Sequence, residues 1–150
     1  MNNTSAFENI VLQPFLLASE SYGANNAFCI NGVFYSYRQF GEQVSSIRAA
    51  VKKLEPDNVN VGLVANDDIE TYAAILALWL EGKCYVPVNP DTPAERNRNV
   101  LQQAGTSVVI DSSEHSLFQE LQVIRSKELP AGTLDLAALP VPDDARAYIF

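Results

Sequence analysis

The sequence predicts an α/β fold, in which a mostly parallel β-sheet is flanked by helices on both faces. From residue 59 onward, apolar segments of strand length alternate with segments of helical period, the order expected of a layered α/β protein. Residues 59–64 and 84–88 are almost continuously apolar, which is typical of parallel strands covered on both sides. Residues 69–81 form a helix that is apolar nearly all round, so we expect it to be buried on more than one side.

Length and charge restrict the possible functions. The 150 residues suffice for one domain with its own core. The net charge of −8, from 18 acidic and 10 basic residues, makes the chain repel phosphate backbones and anionic lipids. The longest apolar run, Tyr72–Leu80, is shorter than the ~20 residues of a membrane span. We therefore expect no nucleic acid and no membrane among the partners. Because residues 1–10 lack a basic stretch before an apolar run, we expect a cytoplasmic location.

The N-terminal quarter predicts a helix followed by a β-hairpin. Residues 8–22 have a rough apolar face, and Pro14 is expected to kink the helix or end its first turn. Residues 27–37 contain two apolar-rich runs around Asn31-Gly32, a dipeptide that tolerates a type I′ turn. The predicted apolar face of the helix consists of Ile10, Leu12, Phe15 and Leu16.

A long amphipathic helix should follow the hairpin. Ser36 and Gln39 have the spacing of a capping box, which marks a helix start. Apolar residues recur behind them at separations of three and four, and Ala49 and Ala50 are expected to widen that stripe. The pattern lasts less than three heptads, so it favours a core helix over a zipper with a partner. The stripe consists of Tyr37, Phe40, Val44, Ile47, Val51 and Leu54.

The next strand ends at paired aspartates, Asp67 and Asp68. Paired carboxylates are compatible with metal binding or acid–base chemistry, but aspartates at a helix N-terminus usually cap free N–H groups, and we favour capping. In the helix that follows, Trp79 is interpreted as a core residue whose N–H needs a partner. Gly82 is expected to end this helix in a left-handed conformation.

The second half predicts further helices and strands. Thr92 and Glu95 repeat the capping-box spacing, with Pro93 at the first helical position, and this helix should reach Gly105. The remaining predicted segments are a strand at 107–110, a short helix at 116–121, a short strand at 123–124, a loop-rich connecting segment at 126–146 and the beginning of a strand at 147–150.

Spacing alone identifies no catalytic or metal site. Cys29 and Cys84 lie 55 residues apart with His115 as the one histidine, too few ligands for zinc, and we interpret them as reduced, packed thiols. His115 is interpreted as a solvated surface residue. The pair Gly82-Lys83 fails as a P-loop, and no GxGxxG, GxSxG or HExxH occurs. Two basic residues on one helix, Arg96 and Arg98, are interpreted as solvated surface residues.

Three segments, in this order, resemble motifs of the adenylate-forming superfamily, which includes acyl-CoA synthetases, luciferases and the adenylation domains of non-ribosomal peptide synthetases. Residues 34–40 (FYSYRQF) are similar to L-T/S-Y-x-E-L. Residues 80–90 (LEGKCYVPVNP) are similar to L-K-A-G-x-A-Y-V-P-L-D-P. Residues 91–110 begin with DTPAER and are similar to P-A-E-R…L-x-x-A-G-x-x-x-V-V.

The departures from these motifs are few. Gln39 and Phe40 replace Glu and Leu of the first motif, while Glu81 and Asn89 replace Ala and Asp of the second. The combination of YVP and PAER resembles the amino-acid-activating branch more than the fatty acyl branch. The resemblance implies a flavodoxin-like subdomain, with residues 1–150 forming a single N-terminal subdomain of a larger ligase.

In such a ligase a carboxylate attacks the α-phosphate of Mg·ATP, giving an acyl-adenylate and pyrophosphate. A thiol of CoA or of a carrier-protein phosphopantetheine then takes the acyl group. The family's phosphate loop, roughly T-S-G-S-T-G-x-P-K-G, follows a strand like residues 147–150, where this chain ends. We therefore assign no catalytic, cofactor-binding or metal-binding residue, and expect no cofactor in this chain, with ATP and Mg bound by the parent enzyme.

The resemblance leaves two hypotheses open. The first is an N-terminal fragment, inactive by itself, whose partner is the remainder of the parent ligase and whose exposed apolar faces cause self-association. The alternative is a free-standing flavodoxin-like binding or interaction module without ligase activity.

Overall fold

The computed structural model of the chain describes residues 8–142 and 144–150. Residues 1–7 fall in the stretch on which the expected cytoplasmic location was based, and residue 143 falls in the predicted connecting segment. Both lie outside the described residues. In the described part, no helix combines the length and the apolar character needed to cross a membrane.

The chain begins with two consecutive helical pieces, a π-helical turn at Glu8–Leu12 and helix α1 at Gln13–Ser21. Pro14 lies in the first turn of α1, directly after the π-helical turn, at a helix position where proline is tolerated. The predicted apolar face is only partly correct, because Leu12 is buried whereas Ile10 is 74% exposed.

The predicted hairpin is confirmed, with strands β1 at Asn26–Ile30 and β2 at Val33–Ser36. The positive φ angles of Asn31 (50°) and Gly32 (80°) are those that a type I′ turn requires. The hairpin packs against the next helix through Phe28 and Phe40, whose ring centroids are 4.5 Å apart.

Helix α2 spans Tyr37–Val51 and has the predicted capping box. The Gln39 N–H donates to Ser36 Oγ at 3.1 Å, and the Ser36 N–H donates to Gln39 Oε1 at 2.8 Å. The prediction that Ala49 widens the apolar stripe is wrong, since Ala49 is exposed and the neighbouring Arg48 is buried instead. The centre of the predicted stripe is fully buried and consists of Phe40, Val44, Ile47 and Val51.

Four parallel strands form the central sheet, in the order β4-β3-β5-β6. They are β3 at Asn60–Val64, β4 at Cys84–Val88, β5 at Val108–Asp111 and β6 at Gln122–Arg125. Helix α3 at Ile69–Leu80 connects β3 to β4, and helix α4 at Ala94–Gln103 connects β4 to β5. This order, second-first-third-fourth along the chain, is the flavodoxin-like one, so the predicted fold class is confirmed.

The helices cover both faces of this sheet. Helices α2 and α3 pack on one face, against side chains such as Val61 and Ile110. Helix α4 packs on the other, where Leu101 lies among Val86 and Val109. Successive residues of each strand therefore point into different cores, which explains the nearly continuous apolar runs of the sequence.

Two local predictions are wrong. Thr92 and Glu95 form no capping box, because α4 begins at Ala94 and its N-cap residue is Pro93, which has no side-chain hydrogen bond to offer. Residues 116–121 are not helical. There, Ser116 Oγ accepts a hydrogen bond from the Phe118 N–H at 3.2 Å, a local alternative to helical bonding that turns Phe118 into the core beside α4.

The connecting segment starts with one 3₁₀ turn at Ser126–Glu128 and is otherwise irregular in its described part. It lies on α2 and α3, with the Leu139 N–H donating to the Leu80 carbonyl at 2.9 Å. The strand predicted at 147–150 is present as a single parallel bridge between Tyr148 and Tyr85 of β4. This bridge places the C-terminal residues at the outer side of β4.

Candidate functional site

Polar residues gather where β3, β5 and β6 end, at the carboxyl edge of the sheet. In open α/β sheets this edge is where ligands bind, because loops and helix N-termini converge there. The residues involved lie at the last positions of β5 and β6 or in the segments that follow the three strands, and they are Asn66, Asp68, Asp111, Ser112, Ser113, Arg125 and Lys127.

Asn66 and Asp68 join the loop after β3 to the loop after β5. The Asn66 amide donates to Ser112 Oγ at 2.8 Å and to Ser113 Oγ at 3.1 Å. Asp68 caps α3, accepting from the Thr71 N–H at 2.9 Å and from the Thr71 hydroxyl at 2.7 Å. The Lys127 ammonium, which follows β6, lies 3.3 Å from the Asp68 carboxylate. These contacts hold together the segments that follow β3, β5 and β6, three neighbouring strands of the sheet.

Several opposing effects act on the pKa of Asp68. Burial favours the neutral acid and by itself raises the pKa. Hydrogen bonds from Ser112 and Thr71, together with the charge of Lys127, outweigh it and lower the pKa of Asp68 below its usual value. The carboxylate is therefore held ionised as a cap and ion-pair partner, and it has no character of a general acid.

A second ion pair completes the cluster. Asp111 at the end of β5 is fully buried, and its Oδ2 lies 3.4 Å from Arg125 Nη1 on the adjacent β6. Asp111 Oδ1 accepts from the Ser113 N–H at 2.8 Å, while Arg125 Nη2 donates to the carbonyls of Ser113 and Glu114. Two carboxylates and two cations thus neutralise each other, so this geometry fixes the loops relative to one another.

A polar groove of about 330 Å³ opens beside the cluster, where the residues after β6 face α2 and α3. Its lining includes Tyr35, Glu70, Ser126 and Lys127. Among residues 8–142 and 144–150, no three His, Cys, Asp or Glu side chains are grouped closely enough to hold a metal ion.

The structure does not bring the candidate residues of the sequence analysis together in one site. The capping interpretation is confirmed for Asp68. Asp67 does not cap: its carbonyl accepts from the Asn31 amide at 3.1 Å, and its carboxylate accepts from the Tyr72 hydroxyl at 3.1 Å. The Trp79 indole N–H donates to the Ala147 carbonyl at 3.1 Å, which confirms a structural role.

The cysteine prediction is correct for one residue only. Both cysteines are free, but Cys84 is buried and Cys29 is exposed on β1, so Cys29 is not a packed thiol. Burial raises the pKa of the Cys84 thiol, which opposes formation of a nucleophilic thiolate.

The remaining polar candidates lie at the surface or make structural contacts. His115 is exposed, as predicted. Arg96 and Arg98 are also exposed, and Arg98 Nε lies 3.5 Å from Glu120 Oε1. Gly82 has φ of 66°, as predicted for the helix end. Lys83 Nζ donates to the Asn58 carbonyl at 2.7 Å, a structural contact consistent with rejecting a P-loop.

Sequence reasoning missed the Asp111–Arg125 pair and the burial of Arg48. One available signal was the position of Asp111 and Ser112 directly after an apolar strand, the place where loop residues converge. Nothing in the helical period marked Arg48, because its carboxylate partner, Glu81, lies 33 residues away in the sequence, directly after another helix.

Comparisons with known proteins place this fold in a family. Residues 18–148 match the family described as AMP-binding enzyme. The ferrichrome siderophore peptide synthetase of Mycosarcoma maydis is 38% identical over 73 residues, which are 49% of this chain and 2% of that protein. The beta-alanyl-bioamine non-ribosomal peptide synthetase ebony of Drosophila melanogaster is 30% identical over 115 residues, which are 68% of this chain and 13% of that protein.

A solved structure supports the same assignment at the level of the fold. The non-ribosomal peptide synthetase FmoA3 in its AMPPNP-bound form superposes with a TM-score of 0.79 at 22% identity, over 98% of this chain and 17% of that one. The chain therefore spans a small part of the length of the relatives it matches. Since the family match extends over 18–148, nearly the whole fold described above, the chain belongs to the AMP-binding enzyme family, the adenylate-forming enzymes that its motifs resemble.

Proposed function

We propose that this chain is the N-terminal structural portion of an adenylate-forming ligase that activates an amino acid. The family match over 18–148 carries this proposal, because it includes both helical layers and the whole parallel sheet. The acid is proposed to be an amino acid because the relatives of this stretch are peptide synthetases.

In the proposed reaction the amino acid carboxylate attacks the α-phosphate of Mg·ATP, which releases pyrophosphate and leaves an aminoacyl-adenylate. The thiol of a carrier-protein phosphopantetheine, or of CoA, then displaces AMP and forms a thioester. The remainder of the ligase would supply the groups that hold ATP, Mg and the acid, in the cytoplasm. This chain's contribution is a rigid sheet and helix assembly on which that remainder is built.

The positions of the motif residues support a structural role. Gly82 ends α3 with φ of 66°, and a Cβ placed on it would lie 2.7 Å from Val141 Cγ1 in the connecting segment. The other motif residues form the buried strand β4 and the start of α4. The polar cluster at the carboxyl edge is neutralised internally by two ion pairs. We therefore propose that the chain by itself is catalytically inactive.

ATP–pyrophosphate exchange tests the inactivity. The purified 150-residue chain is incubated with Mg·ATP, labelled pyrophosphate and a panel of amino and carboxylic acids. We expect no exchange above the rate without protein, with an intact adenylation module from the ferrichrome siderophore peptide synthetase as the positive control. Exchange with any acid would overturn this part of the proposal.

A chimaera tests the structural role. Residues 18–148 replace the matching stretch of that adenylation module, whose own acid-binding and nucleotide-binding residues remain. We expect exchange with the module's original amino acid, because the transplanted part is proposed to provide the scaffold and no acid specificity. A chimaera that melts cooperatively but lacks exchange would instead favour a free-standing binding module.

A further inference from the structure

Strand β6 forms one edge of the central sheet in the described part of the chain, and its outer side is open. The strand order β4-β3-β5-β6 leaves β6 with a neighbour only at β5. A groove of about 380 Å³ follows this edge. Its floor is formed by the end of α2 and the residues after it, including Ala50 and Leu54. The groove is therefore a channel along an unpaired strand.

The backbone of β6 presents free hydrogen-bonding groups to this groove. The Gln122 N–H donates to the Ser107 carbonyl at 3.1 Å, on the β5 side. Since backbone groups alternate sides along a parallel strand, the N–H and C=O of Val123 and Arg125 point away from β5. An exposed row of this kind is a template for another extended strand.

Opposite charges stand at the two ends of the groove. Lys53 follows α2, which leads into β3, so it lies at the amino end of the parallel strands. Glu128 follows β6 and lies at the carboxyl end, where its Oε1 is 3.6 Å from Arg125 Nε of the same chain. Its side chain is still 69% exposed, so the carboxylate can also contact a cation of a second copy. An antiparallel strand from a second copy, related by a two-fold axis, would bring each Lys53 to the Glu128 of the other copy.

We propose that the β6 edge is a contact between two copies of this chain, which pair β6 antiparallel across a two-fold axis. In the register that fits, the outward groups of Val123 bond those of Arg125 in the second copy, and the two sheets become continuous. Two Lys53–Glu128 contacts flank the paired strands and specify the antiparallel orientation. Because β6 has only four residues, the dimer should be weak and should dissociate on dilution.

Sedimentation equilibrium of the full 150-residue chain over a wide concentration range tests the proposal. We expect a monomer–dimer equilibrium that weakens with added salt, because the flanking charges are exposed. Lys53→Glu and Glu128→Lys should each raise the dissociation constant roughly tenfold, since each variant turns both flanking contacts into like-charge pairs.

Mixing these two variants distinguishes the proposed pairing from nonspecific association. A homodimer of either variant joins like charges at both flanking contacts. In a heterodimer of K53E with E128K both contacts join opposite charges, so the mixture should dimerise more strongly than either variant alone. The double variant carrying both changes should dimerise as the parent chain does. A second pair concerns the backbone: Val123→Pro removes the outward N–H and should abolish the dimer, whereas Val123→Ala keeps that N–H and should preserve it.

A chain that is monomeric at every concentration would overturn the proposal. A dimer that K53E, E128K and V123P all leave unchanged would overturn it as well, because the contact would then lie on another surface. Thermal melts of each variant confirm that the comparison is made between folded chains.

Discussion

The packing around Gly62, in the middle of β3, leaves no room for a side chain. A Cβ at this position would lie 2.8 Å from Leu101 Cδ2 and 2.9 Å from Val109 Cγ2, distances at which the neighbours must move. Helix α4 therefore sits on the sheet at a separation that only glycine allows. We expect Gly62→Ala to lower the free energy of unfolding by about 1–3 kcal/mol, measured by urea denaturation.

A double-mutant cycle provides the control for this position. Leu101→Ala removes the nearer of the two clashing atoms and leaves Val109 Cγ2, so Gly62→Ala should be less destabilising in that background than in the parent chain. Equal effects in the two backgrounds would show that the close approach of α4 is not the cause.

Asp68 gives the stability of the fold a defined pH dependence. Its pKa in the folded chain is lower than in the unfolded chain, so the folded chain binds this proton less readily. The resulting stabilisation is present above the unfolded pKa of about 4 and is lost as the pH falls through the lower, folded value. Asp68→Asn should therefore destabilise the chain at neutral pH, with the difference from the parent shrinking towards zero in strong acid.

Urea denaturation at a series of pH values measures this difference. Asp67→Asn is the matched control, because Asp67 is an exposed neighbour that does not cap α3. A difference between D68N and the parent chain that stays constant from neutral to strongly acid pH would contradict the linkage.

At the scale of single elements, α2 and α4 have different N-terminal caps, although both sequences have the spacing of a capping box. Ser36 and Gln39 form both bonds of a capping box, whereas Thr92 and Glu95 have the same spacing and form neither. Ser36→Ala should therefore cost about 1 kcal/mol of unfolding free energy, and Thr92→Ala less than about 0.5 kcal/mol. Chemical denaturation of the two variants side by side is the measurement, and equal losses would contradict the assigned caps.

The elements that the sequence predicts well are those whose cause is local. The Asn31-Gly32 turn, the glycine stop at Gly82 and the apolar period of α2 depend on residues a few positions apart, and all three are present. The helix expected at 116–121 failed because the serine hydroxyl of Ser116 offered the backbone another partner. The amino-acid composition of 116–121 does not decide between helical backbone hydrogen bonds and a bond from the Phe118 N–H to the Ser116 hydroxyl.

The polar cluster at the carboxyl edge could be predicted only in part. The loop after β5 was identifiable as lying at that edge, but the pairing of Asp111 with Arg125 depends on which strand lies beside β5. That register is set by the packing of the whole sheet. For the same reason no spacing rule located the Arg48–Glu81 pair, which joins two helices that meet only in the folded chain.

At the scale of the whole molecule, Arg48 joins both helices of one face to the connecting segment. Its Nε donates to Glu81 Oε1 at 2.6 Å, and its Nη1 donates to the Asp135 carbonyl at 3.1 Å. Lys52 adds a bond to the Asp135 carboxylate at 2.7 Å, which is the main cause of the lowered pKa of Asp135. Glu81 stands where the family motif has alanine, so this chain has a buried carboxylate of its own for Arg48.

Removing the carboxylate should free the connecting segment as well as destabilise the core. The Arg48 and Glu81 side chains are only 2% and 8% exposed, so Glu81→Gln removes the buried charged partner of the guanidinium. The Asp135 carboxylate at 3.3 Å, which is 43% exposed, then remains as the weaker partner. We expect a loss of about 3–5 kcal/mol in unfolding free energy. Under native conditions a broad-specificity protease should then cut within residues 129–142 faster than in the parent chain, with the sites read by mass spectrometry.

The double variant Arg48→Met with Glu81→Leu separates lost charge pairing from lost packing. Both charges are then absent and the volume is roughly kept. The double variant should therefore lose less unfolding free energy than the two single variants lose together, by a coupling of about 0.5–3 kcal/mol. Its connecting segment should still be cut faster, because the Arg48 bond to the Asp135 carbonyl is gone in this variant too. Strictly additive stability losses would show that the Arg48 and Glu81 charges are not coupled. Cleavage at the parent rate in the double variant would show that Arg48 does not hold the connecting segment in place.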